Sequence, residues 1–274
     1  MTDASSPIRF EFSQSSLQDY SDCPRRFQLR YVDRMPWPAV EAELSAEKES
    51  RQQEGLRFHR LVHQHRMGVP SASLAKLATS EDLRRWWDNY VSADLALGGY
   101  AQRSEVSLFC SVGDHRLVAK YDLIAVKDNR AVIYDWKTYA RRPPNEWLAA
   151  RMQTRVYRAL LVQAGAILNG GGPFRPDDIT MVYWFAEFPG EPVVFQYDSR
   201  QFLADWAELE RLIAEITAER NFPVTSDRTM CRWCVYRSYC DRGDRAAKWN
   251  EVDEDSPGGE SFDLSFDQIE EIGS

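Results

Sequence analysis

The dipeptide Asp128-Asn129 lies between two apolar runs and constrains this chain more than any other feature. Asp and Asn tolerate the left-handed backbone that a two-residue hairpin turn demands. With strands at 116–127 and 130–138, position 127 faces 130, 124 faces 133 and 122 faces 135. Asp122 and Asp135 then become direct cross-strand neighbours on one face, with β-carbons ~5 Å apart. Lys137, two residues past Asp135, projects from the same face. Two facing acids repel unless a cation lies between them. A hard cation such as Mg²⁺ or Mn²⁺, held by one or two carboxylates, meets that need. The flanking Leu117, Val118, Leu123, Ile124, Val126, Val132, Ile133 and Tyr134 read as buried. An Asp-x-Lys among them costs stability unless it is paired or functional. Geometry alone leaves open a solvent-facing acid–base pair on a polar strand face.

The rest of the chain reads as helices before this hairpin and mixed elements after it. Residues 14–34 form two short helices broken at Pro24, with Ser13 as N-cap. Pro36 to Ala39 make a turn. Helices follow at 41–67 and, rich in Trp, at 81–97. Residues 102–112 form a further strand before a turn at Asp114. A helix spans 145–164, capped by Asn145 and ended by Gly165. Strands at 178–187 and 192–198 and a helix at 199–220 complete the pattern. Gln153 and Tyr157, four apart, share a helix face. His59 and His63 also lie on one helix, without the third ligand a zinc site needs. The expected class is α/β, with a helical insertion at about 36–99 before the main sheet.

Cys231, Cys234 and Cys240 fall within ten residues, as C-x2-C-x5-C. No run of about 18 apolar residues and no secretory leader pattern is present, so the expected location is the reducing cytoplasm. Clustered thiols there suit a soft metal or an iron–sulfur cluster, and spacing does not separate zinc from iron. A fourth ligand must come from elsewhere. Cys23, at a helix break, is better placed than Cys110, which reads as a small buried hydrophobe on a strand. Bridging Cys23 to 231–240 would close a loop of about 200 residues.

The net charge of −8 is concentrated in one segment. Residues 250–274 hold nine acids and no Lys or Arg, leaving 34 bases against 33 acids elsewhere. The tail reads as disordered. It is expected to solubilise the chain, with docking to a protein partner or folding over a basic site as alternatives.

Six short segments in order resemble the PD-(D/E)xK nuclease superfamily. The likeness is to its RecB-like branch with an iron–sulfur cluster, which includes CRISPR-associated exonucleases. They are SQSSLQDYSDCPRRF from Ser13, GLRFH from Gly55, AKYD from Ala119, DWKT from Asp135, QTRVY from Gln153 and CRWCVYRSYC from Cys231. Ala119 stands where the family commonly has Gly. The resemblance implies a restriction-endonuclease-like core in a single nuclease domain, 1–249, with the 250–274 tail outside it. It implies His59, Asp122, Asp135 and the Trp136 carbonyl as ligands of Mg²⁺ or Mn²⁺. Lys137 would orient water and offset phosphate charge, with Gln153 and Tyr157 supporting the site or touching DNA. Cys23, Cys231, Cys234 and Cys240 would hold a 4Fe–4S cluster.

The expected function is a metal-dependent exonuclease acting on single-stranded DNA ends in repair, recombination or CRISPR adaptation. The alternative is a non-catalytic DNA-binding or processing subunit of a larger complex. Arg25, Arg26, Arg57, Arg141 and Arg142 are the foremost candidates for backbone contacts, with Arg60, Arg151 and Arg155 beside them. Trp37, Trp136 and Tyr139 are candidates for base stacking.

Overall fold

Ser13 starts the first helix by a reciprocal cap. Its hydroxyl accepts from the Ser16 N–H at 3.3 Å, and Ser16 Oγ accepts from the Ser13 N–H at 2.9 Å. Helix α1 runs Gln14–Asp22. Pro24, which has no N–H to lose, opens α2, Pro24–Phe27, and the chain continues in a wide π-type turn to Val32. The computed structural model describes residues 10–36, 42–93, 95, 97–231 and 234–243, with backbone alone for 42–49. Trp37 and the acidic tail, both named above as candidate contacts, lie outside the described residues.

Three helices follow: α3, Ala42–Arg66; α4, Ser71–Ala75, which the periodicity did not predict; and α5, Glu81–Ser92. Helix α5 ends five residues before the expected boundary, because Ala93 turns to extended backbone at ψ 127°. Strands β2, Ala101–Val112, β3, His115–Lys127, and β4, Arg130–Lys137, form an antiparallel meander. Both turn residues, Asp128 at φ 50° and Asn129 at φ 61°, take the left-handed conformation the hairpin requires. The ladder follows the expected register from Lys127↔Arg130 to Leu123↔Tyr134.

The expected direct pairing of Asp122 with Asp135 is corrected at this point. The ladder stops at Leu123↔Tyr134, and the Trp136 N–H donates to the Asp122 carboxylate at 2.8 Å instead of to backbone. Beyond the gap, a two-residue strand β1, Glu11–Phe12, runs parallel to β3 at Arg116 and Leu117.

The expected helix over 145–164 is two helices, α6, Asn145–Ala150, and α7, Met152–Ala164. Arg151, with ψ 142°, breaks them. Asn145 is the first helical residue rather than the cap, and its Oδ1 accepts from Arg142 at 2.9 Å. Strands β5, Ile179–Phe185, and β6, Val193–Gln196, complete the sheet, and α8, Ser199–Ala218, follows. The sheet order is β1-β3-β4-β5-β6, with β2 also paired to β3. The result is the mixed α/β core expected of a restriction-endonuclease-like fold.

Two apolar cores sandwich the sheet. One joins Leu17, Val156, Leu160, Leu209 and Leu212 of the helices to Tyr121, Ile124, Ile133 and Tyr183 of the sheet. The other joins Phe58, Val62, Leu83 and Trp86 of α3 and α5 to Leu123, Ala125, Trp136 and Trp184. In β3, Leu117, Ala119 and Tyr121 belong to the first core, yet Leu123 and Ala125 belong to the second. A regular strand keeps alternate residues on one face. The strand therefore changes phase at Asp122. Strand β2 changes with it: Val106 and Leu108 pack in the first core, whereas Ser104 meets His63 of α3. The residue between them, Glu105, has φ 57°. No helix among the described residues is long and apolar enough to cross a membrane.

Candidate active site

The β2–β3 register puts Glu105 opposite Asp122, because Ser104 pairs with Leu123 and Val106 with Tyr121. Helix α3 brings His59 against the same spot, its Nδ1 3.1 Å from Asp122 Oδ1. One ligand atom from each of His59, Glu105 and Asp122 lies within 4.8 Å of the others. An imidazole nitrogen and two carboxylate oxygens make a donor set that fits a divalent cation such as Mn²⁺ or Mg²⁺. The sequence reading missed Glu105, although a signal was there. The hairpin arithmetic applied at Asp128-Asn129 works equally at the turn around Gly113-Asp114, where Val112 pairs with His115. It places Glu105 across from Asp122.

Asp135, Lys137 and Gln153 form a second, contiguous group. Lys137 Nζ sits 2.9 Å from Asp135 Oδ2 and donates to Gln153 Oε1 at 2.9 Å. Gln153 Nε2 donates to Asp135 Oδ1 at 2.8 Å. Gln153, from α7, thus uses both ends of its amide to hold the acid and the base of β4. Tyr183 of β5 donates to Gln153 Oε1 at 3.4 Å, and Thr154 and Tyr183 share a 2.7 Å hydroxyl contact. All three charged or amide side chains are buried, with Lys137 7% exposed. Burial of ionic groups is tolerable because each is paired. This removes the alternative of a solvent-facing Asp-x-Lys pair.

Tyr157 joins from one turn further along α7. Its hydroxyl donates to the Lys120 carbonyl at 2.7 Å, in the stretch of β3 between the β1 and β4 ladders. The Tyr121 hydroxyl in turn donates to the Tyr157 carbonyl at 2.8 Å. Helix α7 is therefore pinned to β3 just before Asp122.

The electrostatics of the two groups are linked. Burial alone would raise the Asp122 carboxyl, but the His59 charge and hydrogen bond, the Trp136 N–H and Lys137 outweigh it and hold it below the usual range. Burial likewise would lower His59, yet Asp122 and, more weakly, Asp135 hold it above its ordinary value. Asp135 and Lys137 thus act on the cation site without belonging to its closest triad.

Other expected site residues fall elsewhere. Trp136 is 2% exposed, packed against Tyr134, Tyr90 and Trp184, so its ring offers no stacking surface. It reaches Asp122 through its backbone N–H. Tyr139 is half-buried beside Phe185 and the Lys137 ammonium. Arg26 is nearly enclosed, 2.8 Å from Asp19 and 2.6 Å from Asp22. Arg25 donates to Gln28 at 2.6 Å. Arg57 is exposed and pairs with Glu54. Arg141 is exposed, and Arg142 donates to Asn145 and to the Glu191 carbonyl.

The cysteines behave as two sets. The Cys234 and Cys240 thiols each lie within electrostatic reach of Cys23 and Cys231, although Cys23 is at the start of α2 and the others follow α8. Burial pushes both thiols up, while Arg26 pulls Cys234 down and Arg25 pulls Cys240 down. Cys110 sits apart on β2, where burial pushes its thiol up to about 11, as suits a packing residue.

Two solved structures are similar over most of the chain. One, SSO0001, shares 17% identity over 84% of this chain and 85% of its own, with a TM-score of 0.39. The other, from Eubacterium rectale and described as a candidate exonuclease, shares 9% identity over 79% of this chain and 85% of its own, with a TM-score of 0.50. At such identities the second match speaks for fold alone. No curated protein matches in sequence. Residues 11–241, from β1 to just past the last cysteine, match the PD-(D/E)XK nuclease superfamily. With the acids and lysine of β3 and β4 assembled beside the Gln153 amide of α7, this chain belongs to that superfamily.

Proposed function

We propose that this nuclease is a divalent-metal-dependent DNA exonuclease acting on single-stranded ends, in repair, recombination or CRISPR adaptation. The observation that carries the reading is the adjacency of two groups: the His59–Glu105–Asp122 donor set and the Asp135–Lys137–Gln153 network. The preference for single-stranded ends and the biological setting rest on the resemblance to the RecB-like branch.

When bound, a divalent cation supplies Lewis-acid polarisation of a phosphoryl oxygen and makes water more acidic. His59, Glu105 and Asp122 would hold it, with Asp135 and the Trp136 carbonyl as further ligands. The protein's own part is positional and electrostatic. Lys137 holds a fixed positive charge where negative charge develops on the phosphate, and its ammonium can orient the attacking water. Gln153 keeps that ammonium from collapsing wholly onto Asp135, because its Oε1 accepts a hydrogen bond from it. Tyr157 fixes the β3 backbone beside Asp122. Exposed Arg57 and Arg141 are candidates for the DNA backbone, and Arg142 adds charge next to Arg141.

Cys23, Cys231, Cys234 and Cys240 would hold a 4Fe–4S cluster. Four sulfur donors from the two ends of the matched region support that reading, and when bound the cluster supplies a covalent tie between them.

The test is anaerobic purification of the full chain, an optical spectrum, metal analysis and digestion of end-labelled single- and double-stranded oligonucleotides with Mg²⁺ or Mn²⁺. Absorption near ~400 nm with about four irons per chain supports the cluster; zinc without iron overturns it. Cleavage that disappears in Lys137→Ala supports the nuclease. DNA binding without cleavage by the wild type overturns it in favour of a non-catalytic subunit.

A further inference from the structure

Lys120 stands two residues before Asp122 on β3, and nothing above gives its side chain a role. Its Nζ lies 2.6 Å from Glu105 Oε2. The same glutamate belongs to the cation-binding triad. A carboxylate has lone pairs enough for both partners, but two cations on one group compete for its charge. Lys120 differs from Lys137 in a decisive way. The Lys137 side chain is 8% exposed and bound to Asp135 and Gln153, whereas that of Lys120 is 38% exposed at the rim of the same site. A lysine–glutamate pair at that exposure is weak and exchangeable. A long flexible ammonium at a site's rim suits a phosphate oxygen.

The Lys120 backbone is nonetheless fixed. Tyr157 donates to its carbonyl at 2.7 Å and Tyr121 donates to the Tyr157 carbonyl at 2.8 Å, so the side chain swings from a clamped point. Glu105 is held as firmly, by the register of Ser104 and Val106 on either side.

Resting on the nuclease reading above, we propose that Lys120 is a substrate-positioning residue that exchanges partners. In the metal-free chain its ammonium is the counter-ion of Glu105. When a divalent cation takes the Glu105 charge, the ammonium moves to a non-bridging oxygen of a DNA phosphate next to the scissile one. The site is then kept neutral without metal, and opens a phosphate contact only when metal is present.

The experiment compares wild type, Lys120→Gln and Lys120→Arg as full chains. Mn²⁺ binding is followed without DNA by the electron paramagnetic resonance signal of the free ion. DNA binding is followed by anisotropy of a fluorescein-labelled oligo-dT with Mn²⁺ present, in a Lys137→Ala background so that the probe survives. Lys120→Gln is expected to bind Mn²⁺ roughly three- to tenfold more tightly, because a competing cation is gone. Its DNA affinity should fall, and the slope of log affinity against log salt should flatten by about 0.7, one phosphate contact on a single strand. Lys120→Arg should restore the slope. Unchanged Mn²⁺ affinity overturns the counter-ion role. Tighter Mn²⁺ binding with an unchanged salt slope overturns the exchange. Failure of the nuclease reading shows separately, as a wild type carrying Lys137 that binds Mn²⁺ and never cleaves.

Discussion

Glu105 carries a backbone cost that can be measured apart from its chemistry. At φ 57° it is a non-glycine residue in left-handed backbone in the middle of a strand. Such a residue costs roughly 1–2 kcal/mol and persists where the surroundings over-determine it, often at functional sites. Glu105→Ala and Glu105→Gly remove the same carboxylate and the same Lys120 pair, so they differ only in backbone. In an ordinary strand the glycine variant is the weaker by about 0.5–1 kcal/mol. Here the order should reverse, with Glu105→Gly more stable than Glu105→Ala by about 1 kcal/mol. For a chain of this size that is a Tm difference of roughly 2–4 °C. Urea and thermal unfolding in EDTA, followed by circular dichroism, read it directly. Both variants should lose Mn²⁺ affinity equally. Glu105→Ala equal to or more stable than Glu105→Gly would refute the argument that a strained Glu105 switches the strand's phase.

Four further outcomes follow from named contacts. Gln153→Leu takes a buried hydrogen-bond partner from both Asp135 and Lys137, so cleavage should fall about tenfold to a hundredfold in single-turnover assays and urea unfolding should show a loss of about 1–3 kcal/mol. Lys137→Ala should lose more, roughly 10²–10³. Glu187 pairs with Arg51 of α3 and Arg85 of α5; burial would raise its carboxyl, but the Arg85 hydrogen bonds and both arginine charges hold it below the usual range. Its contribution, about 1 kcal/mol after solvent screening, is present above the unfolded value of about 4.3 and is lost as pH falls through the depressed folded value. The stability gap between wild type and Glu187→Gln should therefore close on acidification; a gap independent of pH would show that charge is not what joins α3 and α5 to the end of β5. A β-carbon at Gly165 would meet Leu161 Cδ1 at 2.7 Å and Phe174 Cδ2 at 2.9 Å, so Gly165→Ala should cost about 1–3 kcal/mol of overpacking, read by urea unfolding.

Local rules carried much of the fold and the site. The Ser13 cap, the Pro24 break and the Asp128-Asn129 turn depend on neighbours in sequence, and each stands where the residues placed it. The Asp-x-Lys on β4 and Asp122 stood out as charged residues in apolar strands, but the direct pairing of Asp122 with Asp135 that strand parity predicts is absent, because the ladder ends at Leu123↔Tyr134. Gln153 was legible as a polar residue sharing a helix face with Tyr157, but its bridging of Asp135 and Lys137 needs the packing of α7 on the sheet. The break at Arg151 was not legible, since Asn145 to Ala164 has the periodicity of one helix.

Local chemistry alone thus set the register of the β3–β4 hairpin, the placing of the main helices and strands and most of the residue types that can hold a cation. Turn chemistry and side-chain alternation act over a few residues and need no partner. The end of the ladder at Leu123, the joint change of phase in β2 and β3 and the arrival of His59 from α3 were decided only in three dimensions. There, two helical layers competed to bury opposite faces of one sheet. The strands met both demands by switching faces at Glu105 and Asp122, where the candidate site lies.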